Sequence, residues 1–319
     1  MQTAFTRLVG CTAPIQLAGM PGIATLELAA AVARAGGLGM LGAADLSADR
    51  LEQQLVALRR ATTGAVGATF LIPFLAPGAV EVAARHARVV DFFWGDPDPA
   101  LVRTVHAGGA LAAWQVGSVD EARAAADAGC DFVIAQGSEA GGHVRGRTSL
   151  LPLLDEVLDA LALPVVAAGG IGCARDLAAV LAAGAAGARL GTRFVASTES
   201  GAHLDYVAAL LAAHGSDTVL CEAFSTGWPN APHRVLRSAV SALETLDRDA
   251  PAGEVELGGR WVPLPPGSVV PPTRTTRGRI GAMALYAGES VTQVREVRPA
   301  GEIVAELVAG AEALLAQSR

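Results

Sequence analysis

From residue 15 to residue 190, short apolar runs alternate with longer segments in which alanine and leucine recur at helical spacing. This alternation is typical of repeated βα units around a parallel sheet. The pattern predicts strands at Ile15–Ala18, Leu38–Leu41, Val66–Ile72, Val89–Trp94, Ala110–Val116, Phe132–Gln136, Val165–Ala168 and Ala188–Leu190. It predicts helices between them, among them Thr25–Ala35, Ala48–Ala61, Ser118–Ala128, Ser149–Ala162 and Ala174–Ala183.

The predicted helix ends carry residues that begin and end helices. Ser118 and Ser149 stand at N-cap positions, and Gly36, Gly129 and Gly184 follow the last periodic residue of three helices. Strands that are each followed by a helix predict an α/β fold, the TIM (β/α)₈ barrel, whose chemistry lies on the loops after the strands. A doubly wound parallel sheet is the alternative that this pattern leaves open.

The pattern changes after about residue 220. The segment Asp249–Thr276 is rich in proline and glycine and has no helical period, whereas Ala300–Gln317 has the pattern of an amphipathic helix. We therefore predict a barrel over residues 1–220 and a C-terminal helical segment over residues 277–319 that packs back on it. Residues 221–276 are predicted to be a small inserted lid domain over the barrel mouth, or else a surface excursion.

Composition excludes several function classes. The net charge is −7 and the basic residues are spread thinly, so we expect neither a nucleic acid nor a membrane surface as a partner. All 24 basic residues are arginines, which excludes a Schiff-base lysine and a P-loop lysine. The four cysteines lie far apart without a metal-ligand spacing, so we expect no metal site and free thiols in a reducing cytoplasm.

The most unusual loop reads AQGSEAGGHVRG over residues 135–146. Gln136 ends the sixth predicted strand, and Gly141 and Gly142 allow the loop to turn so that His143 projects over the barrel mouth. A neutral imidazole near pH 7 is a suitable proton acceptor, so His143 is the candidate general base. The alternative is that His143 only hydrogen-bonds to the loop backbone.

Three more loops after predicted strands carry glycine. In GMPG (residues 19–22), small residues let the backbone approach a ligand closely. AAGGIG (residues 167–172) and LGTRF (residues 190–194) follow the seventh and eighth strands, where barrels commonly bind phosphate, and Thr192 adds a hydroxyl donor. These loops predict a cofactor or substrate that carries phosphate. Two further residues, His233 and Tyr286, are candidates for the mouth.

The motifs PIQLAGM, VGSVDEA, AQGSEAGGH, PVVAAGGIG and LGTRF, in this order, resemble the nitronate monooxygenase family, once called 2-nitropropane dioxygenases, and its FMN-dependent enoyl-reductase relatives. The resemblance extends from about residue 5 into the C-terminal helix. It implies a TIM barrel that binds FMN without covalent attachment. It also implies that His143 removes the α-proton of a neutral nitroalkane. The implied cofactor-binding residues are Gly19, Met20, Thr69, Gln136, Gly141, Gly142, Gly169, Gly170, Leu190, Gly191 and Thr192.

This chain departs from the family pattern at several positions. Thr69 stands on the third strand where the family usually has asparagine, Arg189 replaces a frequent glutamine before the GT pair, and Glu289 replaces another glutamine. In addition, Arg145 and Arg147 follow His143 and are expected to add positive charge near the mouth.

The resemblance implies oxidation of a nitronate or nitroalkane with dioxygen. The alternative is an FMN- and NAD(P)H-dependent enoyl-thioester reductase, for which Arg145 and Arg147 would attract phosphopantetheine. A flavin-binding protein without catalysis is the third hypothesis. The sequence allows a homodimer and leaves the oligomeric state open.

Overall fold

The computed structural model describes residues 1–44, 46–247, 249–257 and 260–317. In chain order, its strands are β1 (Ile15–Leu17), β2 (Gly39–Gly42), β3 (Val66–Leu71), β4 (Val89–Phe93), β5 (Leu111–Val116), β6 (Phe132–Gln136), β7 (Gly142–His143), β8 (Val165–Ala168), β9 (Gly187–Leu190), β10 (Thr218–Cys221), β11 (His233–Leu236), β12 (Gly253–Leu257), β13 (Arg260–Leu264) and β14 (Arg277–Gly278). Its α-helices are α1 (Ala4–Val9), α2 (Leu26–Arg34), α3 (Ala48–Ala61), α4 (Ala79–His86), α5 (Pro99–Ala107), α6 (Val119–Asp127), α7 (Leu150–Ala160), α8 (Ala174–Ala182), α9 (Thr192–Val195), α10 (Leu204–Ala212), α11 (Arg237–Glu244) and α12 (Ala300–Gln317).

A TIM barrel forms the first part of the molecule. Eight parallel strands pair in the order β1-β9-β8-β6-β5-β4-β3-β2, and a parallel bridge between Gln16 and Leu38 joins the two end strands. The Leu17 amide donates to the Leu38 carbonyl at 2.9 Å across this junction. The predicted barrel is therefore confirmed, and every predicted strand is present with its ends within one residue. The doubly wound alternative is wrong because the sheet closes on itself.

The helix termini follow local chemistry. The Ser118 hydroxyl accepts from the Glu121 amide at 3.3 Å and caps α6 as predicted. Gly36, Gly129 and Gly184 adopt positive φ of 90°, 95° and 107°, which ends the preceding helices. Ser149 occupies the N-cap position of α7, but its side chain makes no capping hydrogen bond.

The Glu139 carboxylate caps α7 in place of the Ser149 hydroxyl. Its two oxygens accept from the Leu150 amide at 3.0 and 2.9 Å. Because Glu139 belongs to the loop after β6, this bond ties that loop to the helix that follows it. A cap from a distant carboxylate leaves no short sequence signature, so the pattern pointed to the adjacent serine instead.

The helix α12 closes the ring of helices around the barrel. It packs against α8 and α2, the helices that follow the seventh and first barrel strands, and so takes the place of the eighth barrel helix. The predicted helix Ala300–Gln317 is confirmed residue for residue. Between residues 277 and 299 the chain is mostly irregular and contains the short 3₁₀ helices Ile280–Ala282 and Glu289–Gln293, so helix is limited to the last part of that segment.

A second hydrophobic cluster lies over the barrel mouth and joins residues 195–213 with residues 224–294. It contains α10 side chains such as Tyr206 and Leu210, although α10 falls within the range predicted as barrel. Two small sheets complete this part: β10-β11-β7 and β13-β12-β14. The domain limits at residues 220 and 276 stay a prediction. No helix in the described ranges is both long and apolar enough to cross a membrane.

Opposite the mouth, α1 covers the amino-terminal end of the barrel. The ring of its Phe5, which is fully buried, meets Phe132 edge to face at 5.6 Å. Phe132 begins β6, so this contact lies at the amino-terminal ends of the strands. In TIM barrels, residues at that end contribute to stability, and the catalytic residues lie at the other end. The cavity described below is therefore at the other end.

A polar network crosses the barrel interior. The fully buried Asp91 on β4 accepts at Oδ2 from Gln16 Nε2 of β1 at 2.9 Å and from Arg189 Nη1 of β9 at 3.0 Å. Arg189 Nη2 also donates to Thr69 Oγ1 of β3 at 3.2 Å. Burial raises the pKa of the Asp91 carboxyl, and the Arg189 guanidinium opposes that rise. Because β4 does not adjoin β1 or β9, these bonds hold opposite walls of the barrel together.

The network predicts a large loss of stability in Asp91→Ala. Removal of the carboxylate leaves the buried Arg189 guanidinium without its partner, so we expect the free energy of unfolding to fall by about 3–5 kcal/mol. A urea titration measures this change. In the control Asp120→Ala, the lost carboxylate is 95% exposed and lies 3.4 Å from Arg123, so we expect a loss below about 1 kcal/mol. Equal losses in the two variants would contradict the cross-barrel role.

Candidate active site

A cavity of about 840 Å³ opens at the carboxyl ends of the barrel strands, a volume in the range of small-molecule sites. Ten of the eleven residues predicted to bind cofactor line it, together with the predicted base His143. The exception is Leu190, whose side chain is buried in the barrel core and whose carbonyl accepts from the Ala18 amide at 2.8 Å. The fold thus brings together residues from loops that are far apart in sequence.

The loop that carries His143 is held as a strand. The two residues of β7 pair antiparallel with β11, Gly142 with Arg234 and His143 with His233, and the Val144 amide donates to the Pro232 carbonyl at 2.9 Å. On the barrel side, Gln136 Nε2 donates to the His143 carbonyl at 3.0 Å. The base is therefore fixed from both sides, by the barrel and by the segment above it.

The opposite side of this loop is fastened by Arg234. Its guanidinium donates to the Ser138 carbonyl at 2.8 and 3.1 Å and lies 3.2 Å from the Glu289 carboxylate. The Gly141 backbone lies so close to the next segment that an added Cβ would stand 2.4 Å from the Gly288 nitrogen. Glycine at 141 is thus required by close packing and not by flexibility.

The imidazole of His143 lies in an aromatic cage. Trp228 stacks on it with the ring centroids 4.0 Å apart, and the rings of Tyr286 and Trp94 lie at 5.5 and 5.7 Å. Burial and the neighbouring His233 lower the pKa of His143 to about 3, so the ring is neutral at pH 7. Its Nε2 is buried and has no hydrogen-bond partner among the described residues. A buried ring nitrogen without a protein partner is one that a ligand in the adjoining cavity would satisfy.

His233 is a structural residue. It is fully buried, its Nε2 accepts from the Phe224 amide at 3.1 Å, and its Nδ1 lies 2.9 Å from the Ala231 carbonyl. These partners fix the neutral tautomer with hydrogen on Nδ1, and burial lowers the pKa of the ring. Both ring nitrogens are used, so His233 orients β11 beside His143 and leaves proton transfer to its neighbour.

Glycines after β8 and β9 form an amide cradle at one end of the cavity. Gly169 and Gly170 have φ of 103° and 69°, and their amides and that of Gly191 donate to no group within the described residues. Successive left-handed residues of this kind turn N–H groups toward a common anion. The Thr192 hydroxyl oxygen accepts from the Gly288 amide at 3.0 Å, which leaves its O–H free to donate into the cavity.

The two amides just before α8 do not contribute to this cradle. The amides of Gly172 and Cys173 both donate to the Asp176 carboxylate, at 2.9 and 3.0 Å. Asp176 therefore occupies two amides at the end of the loop after the seventh barrel strand, a loop predicted to bind phosphate. The cradle fits a phosphate through the turn at Gly169 and Gly170 and through Gly191 and Thr192, which line the same cavity.

The departures from the family pattern contact one another or a matched partner. Thr69 and Arg189 are joined by the 3.2 Å bond described above, and Glu289 pairs with Arg234. Thr69 is also tightly packed, because a Cβ at Gly19 would lie 2.3 Å from its hydroxyl oxygen.

Arg145, which was expected to add positive charge near the mouth, has its charge compensated by two carboxylates. Its guanidinium forms ion pairs with Glu121 and, at 2.7 Å, with Asp96, and it lies outside the cavity wall. Arg147 is exposed and also lies outside that wall. Within the described ranges, no group of three or more histidine, cysteine, aspartate or glutamate side chains could hold a metal ion.

Several lining residues were not predicted from the sequence. Phe74, Tyr206 and Arg274 line the cavity, and Trp94 completes the cage at an unusual φ of 64°. A usable signal existed in the rarity of tyrosine: the chain has two, and both Tyr206 and Tyr286 line the cavity.

Comparisons with known proteins agree with this architecture. The family model for nitronate monooxygenase matches residues 2–81 and 78–310. A protein of Rhodococcus jostii named (3aS,4S,5R,7aS)-5-hydroxy-7a-methyl-1-oxo-octahydro-1H-indene-4-carboxyl-CoA dehydrogenase is 36% identical over 246 residues, which cover 76% of this chain and 68% of that protein. A Staphylococcus saprophyticus protein named "Probable nitronate monooxygenase" is 34% identical over 277 residues, with coverage of 72% and 78%.

Two solved structures are similar over nearly their whole length. FabK from Thermotoga maritima has a TM-score of 0.80 at 29% identity and covers 100% of this chain, which covers 99% of it. The nitroalkane oxidase from Streptomyces ansochromogenes has a TM-score of 0.78 at 32% identity, with coverage of 99% and 100%. With its barrel, its glycine cradle and its caged histidine, the chain belongs to the nitronate monooxygenase family and is an oxidoreductase.

Proposed function

We propose that this enzyme oxidises nitronates and nitroalkanes with dioxygen and uses FMN as its cofactor. The observation that carries the proposal is the neutral imidazole of His143, whose buried Nε2 has no partner among the described residues, in the wall of a cavity that also holds an amide cradle. A neutral imidazole can remove a proton from a carbon acid, whereas an imidazolium cannot. Nitroalkanes are such acids, and the anionic nitronate is what remains once the α-proton is gone.

The residues present fit FMN at two places. The free amides of Gly169, Gly170 and Gly191, with the Thr192 hydroxyl, would hold the phosphate. The Gln136 side-chain oxygen is buried without a partner and lines the same cavity, so it would accept from the polar edge of the flavin. Met20 and Gly19 line the cavity and would pack against its ring. When bound, FMN would supply the redox chemistry with dioxygen.

The protein's own contribution is proton transfer in a dry site. His143 Nε2 would take the α-proton from a neutral nitroalkane, and the carbon–hydrogen bond electrons would stay on the substrate as the nitronate. Trp228, which is 6% exposed, covers the imidazole and excludes water from it. Gln136 fixes the backbone of His143 through its carbonyl, which holds the ring in place while the proton moves. A substrate supplied as the nitronate needs no base.

A second candidate function is oxidation or reduction of an acyl thioester. It is favoured by the relatives from Rhodococcus jostii and Mycobacterium tuberculosis that are named carboxyl-CoA dehydrogenases, at 36% and 35% identity. In the enoyl-thioester reductase form, NAD(P)H would be the electron donor. Anaerobic addition of ethylnitronate and, separately, of NADPH distinguishes the two: bleaching of the flavin by the nitronate alone supports the monooxygenase.

We predict that His143→Gln separates the two substrate forms. Because the variant lacks the base, kcat/KM for neutral nitroethane should fall about 100-fold to 10,000-fold, whereas kcat/KM for ethylnitronate should change little. Steady-state oxygen consumption measures both. The exposed His214 offers a matched control, since His214→Gln should leave both values unchanged. Equal losses with nitroethane and ethylnitronate in His143→Gln would show that His143 acts in binding and not as the base.

The depressed pKa of His143 predicts an unusual pH profile. Only the neutral ring accepts a proton, and a pKa of about 3 keeps it neutral under mildly acidic conditions. We therefore expect kcat/KM for nitroethane to stay nearly constant from about pH 8 to about pH 5. An unperturbed histidine would instead lose activity about tenfold per unit below about pH 6.5. A profile of that second kind, with the fold intact by circular dichroism, would refute the buried neutral base.

The amide cradle predicts selective loss of FMN in Gly170→Ala. The position has φ of 69°, and an added Cβ would make an ordinary van der Waals contact with the Glu139 side chain at 3.6 Å, so the change strains the turn without a clash. We expect FMN affinity to fall about tenfold to 100-fold, and riboflavin affinity to fall much less because riboflavin lacks the phosphate. Flavin fluorescence during reconstitution measures both. The control Gly109→Ala has a similar φ of 88° away from the cavity and should bind FMN normally.

A further inference from the structure

The outer wall of the cavity is apolar and does not belong to the barrel. It consists of aliphatic residues from the hairpin β12–β13 and the segment after it, namely Val255, Val262, Leu264, Val269, Val270 and Pro271. Neither the proton transfer at His143 nor the amide cradle uses any of them. A nitronate as small as ethylnitronate has almost no apolar surface with which to contact such a wall.

The register of the hairpin explains why its apolar residues share one face. Val255 lies directly opposite Val262, and Gly253 lies opposite Leu264, so these side chains are on the same side of the pleat. The other face is polar or amphipathic: Trp261 lies opposite Glu256, and the Arg277 guanidinium stacks on its ring at 3.9 Å. The apolar face thus contributes Val255, Val262 and Leu264 to the cavity wall, and Glu256 of the other face also reaches the lining.

This wall is preformed, because the hairpin has its own hydrophobic core. Val255 and Leu264 are 7% and 6% exposed and pack with Ala252, Ile280 and Met283. Val262 lies beside them on the same face, yet it is 38% exposed and lines the cavity. An aliphatic side chain held open on a rigid wall gains free energy when a ligand covers it.

The wall is connected to the base through one aromatic residue. The Tyr286 hydroxyl donates to the Val269 carbonyl at 2.8 Å, and the Tyr286 ring centroid lies 5.5 Å from that of His143. A substrate whose reacting carbon is at His143 can therefore extend past Tyr286 onto the hairpin. The charged residues near the hairpin that line the cavity are Glu256 and Arg274, one of each sign, so this end has no excess positive charge for a second anionic group.

We propose that the apolar face of the hairpin binds the non-reacting apolar tail of the substrate, so that the enzyme selects nitronates and nitroalkanes with an extended alkyl group. The inference rests on the proposed function for the reacting group and adds the class of tail. Val262 is its specificity-determining residue, since it is the most exposed of the aliphatic residues in this wall. The tail is neutral and apolar because the wall offers it aliphatic contacts and no net charge.

The first test is a chain-length series with the FMN-loaded enzyme. kcat/KM is measured for ethyl-, butyl- and hexylnitronate at one pH, with flavin content used to normalise enzyme concentration. We expect kcat/KM to rise by up to about fourfold for each added methylene, the effect of fully burying one such group. The expected difference should arise mainly in KM, because the tail makes the same contacts before and during the reaction.

The second test changes the wall without changing its shape. Val262→Thr keeps the branched side chain and the β-propensity but adds a hydroxyl, so it should flatten the dependence on chain length by lowering kcat/KM for hexylnitronate more than for ethylnitronate. The matched control is Val297→Thr, which alters a valine that is 44% exposed outside the cavity wall. The control should keep the wild-type slope.

The outcomes separate this inference from the proposed function. If ethylnitronate is oxidised but kcat/KM does not rise with chain length, or if Val262→Thr keeps the full slope, the tail site is wrong and the monooxygenase stands. If no nitronate reacts with the flavin-loaded protein, the proposed function fails. The tail site is then tested separately by measuring how ligand affinity depends on chain length. Quenching of the fluorescence of Trp228 and the other tryptophans by propionate, valerate and heptanoate then gives the slope, and equal dissociation constants would overturn the inference.

Discussion

The pairing of Gly142 and His143 with β11 is the constraint on which the site depends. This short antiparallel ladder attaches a barrel loop to the segment that covers the barrel mouth, and it places the imidazole between them. Once the loop is fixed there, Trp228 and Tyr286 can enclose the ring, and burial keeps it neutral. The glycines of the loop are needed because neighbouring backbone leaves no room for a side chain at Gly141, and Gly142 has φ of 76°. Rigidity of the finished loop, and not mobility, is what these glycines provide.

The barrel could be predicted because the signals for each strand and helix lie within one short stretch of sequence. A strand such as Phe132–Gln136 is an uninterrupted apolar run, and a helix such as Ala48–Ala61 has its N-cap and its apolar face within one window. The cover over the mouth could not be predicted in the same way. One of its small sheets pairs β7 with β11, which lie far apart in the chain, as in His143 with His233, and no local pattern records such a pairing. The same reason hid the capping of α7 by Glu139.

The parts of the site formed by backbone amides of glycine-rich loops could be predicted. The parts formed by side chains from segments distant in the sequence could not. Glycine-rich turns after β8 and β9 pointed to the amide cradle, but the glycine pattern did not show that Asp176 occupies the amides of Gly172 and Cys173 just before α8. The departures Thr69 and Arg189 looked independent in sequence, yet they are hydrogen-bonded to each other and to the same buried network. Glu289 likewise looked isolated and is the partner of Arg234. Because the residues that depart from the family pattern bond to a partner, their buried polar groups keep hydrogen-bond partners.

The position of α12 has a consequence for how the chain folds. The ring of barrel helices is completed by residues 300–317, which reach their places between α8 and α2 only after the whole covering segment has been made. During synthesis, the apolar faces of α2 and α8 therefore stay uncovered while roughly a third of the polypeptide leaves the ribosome. Contacts between residues so far apart in the sequence slow folding and lengthen the time for which aggregation-prone intermediates are exposed. The last helix thus completes the barrel. A chain that lacks it would expose apolar surface to chaperones and would not yet form the active site.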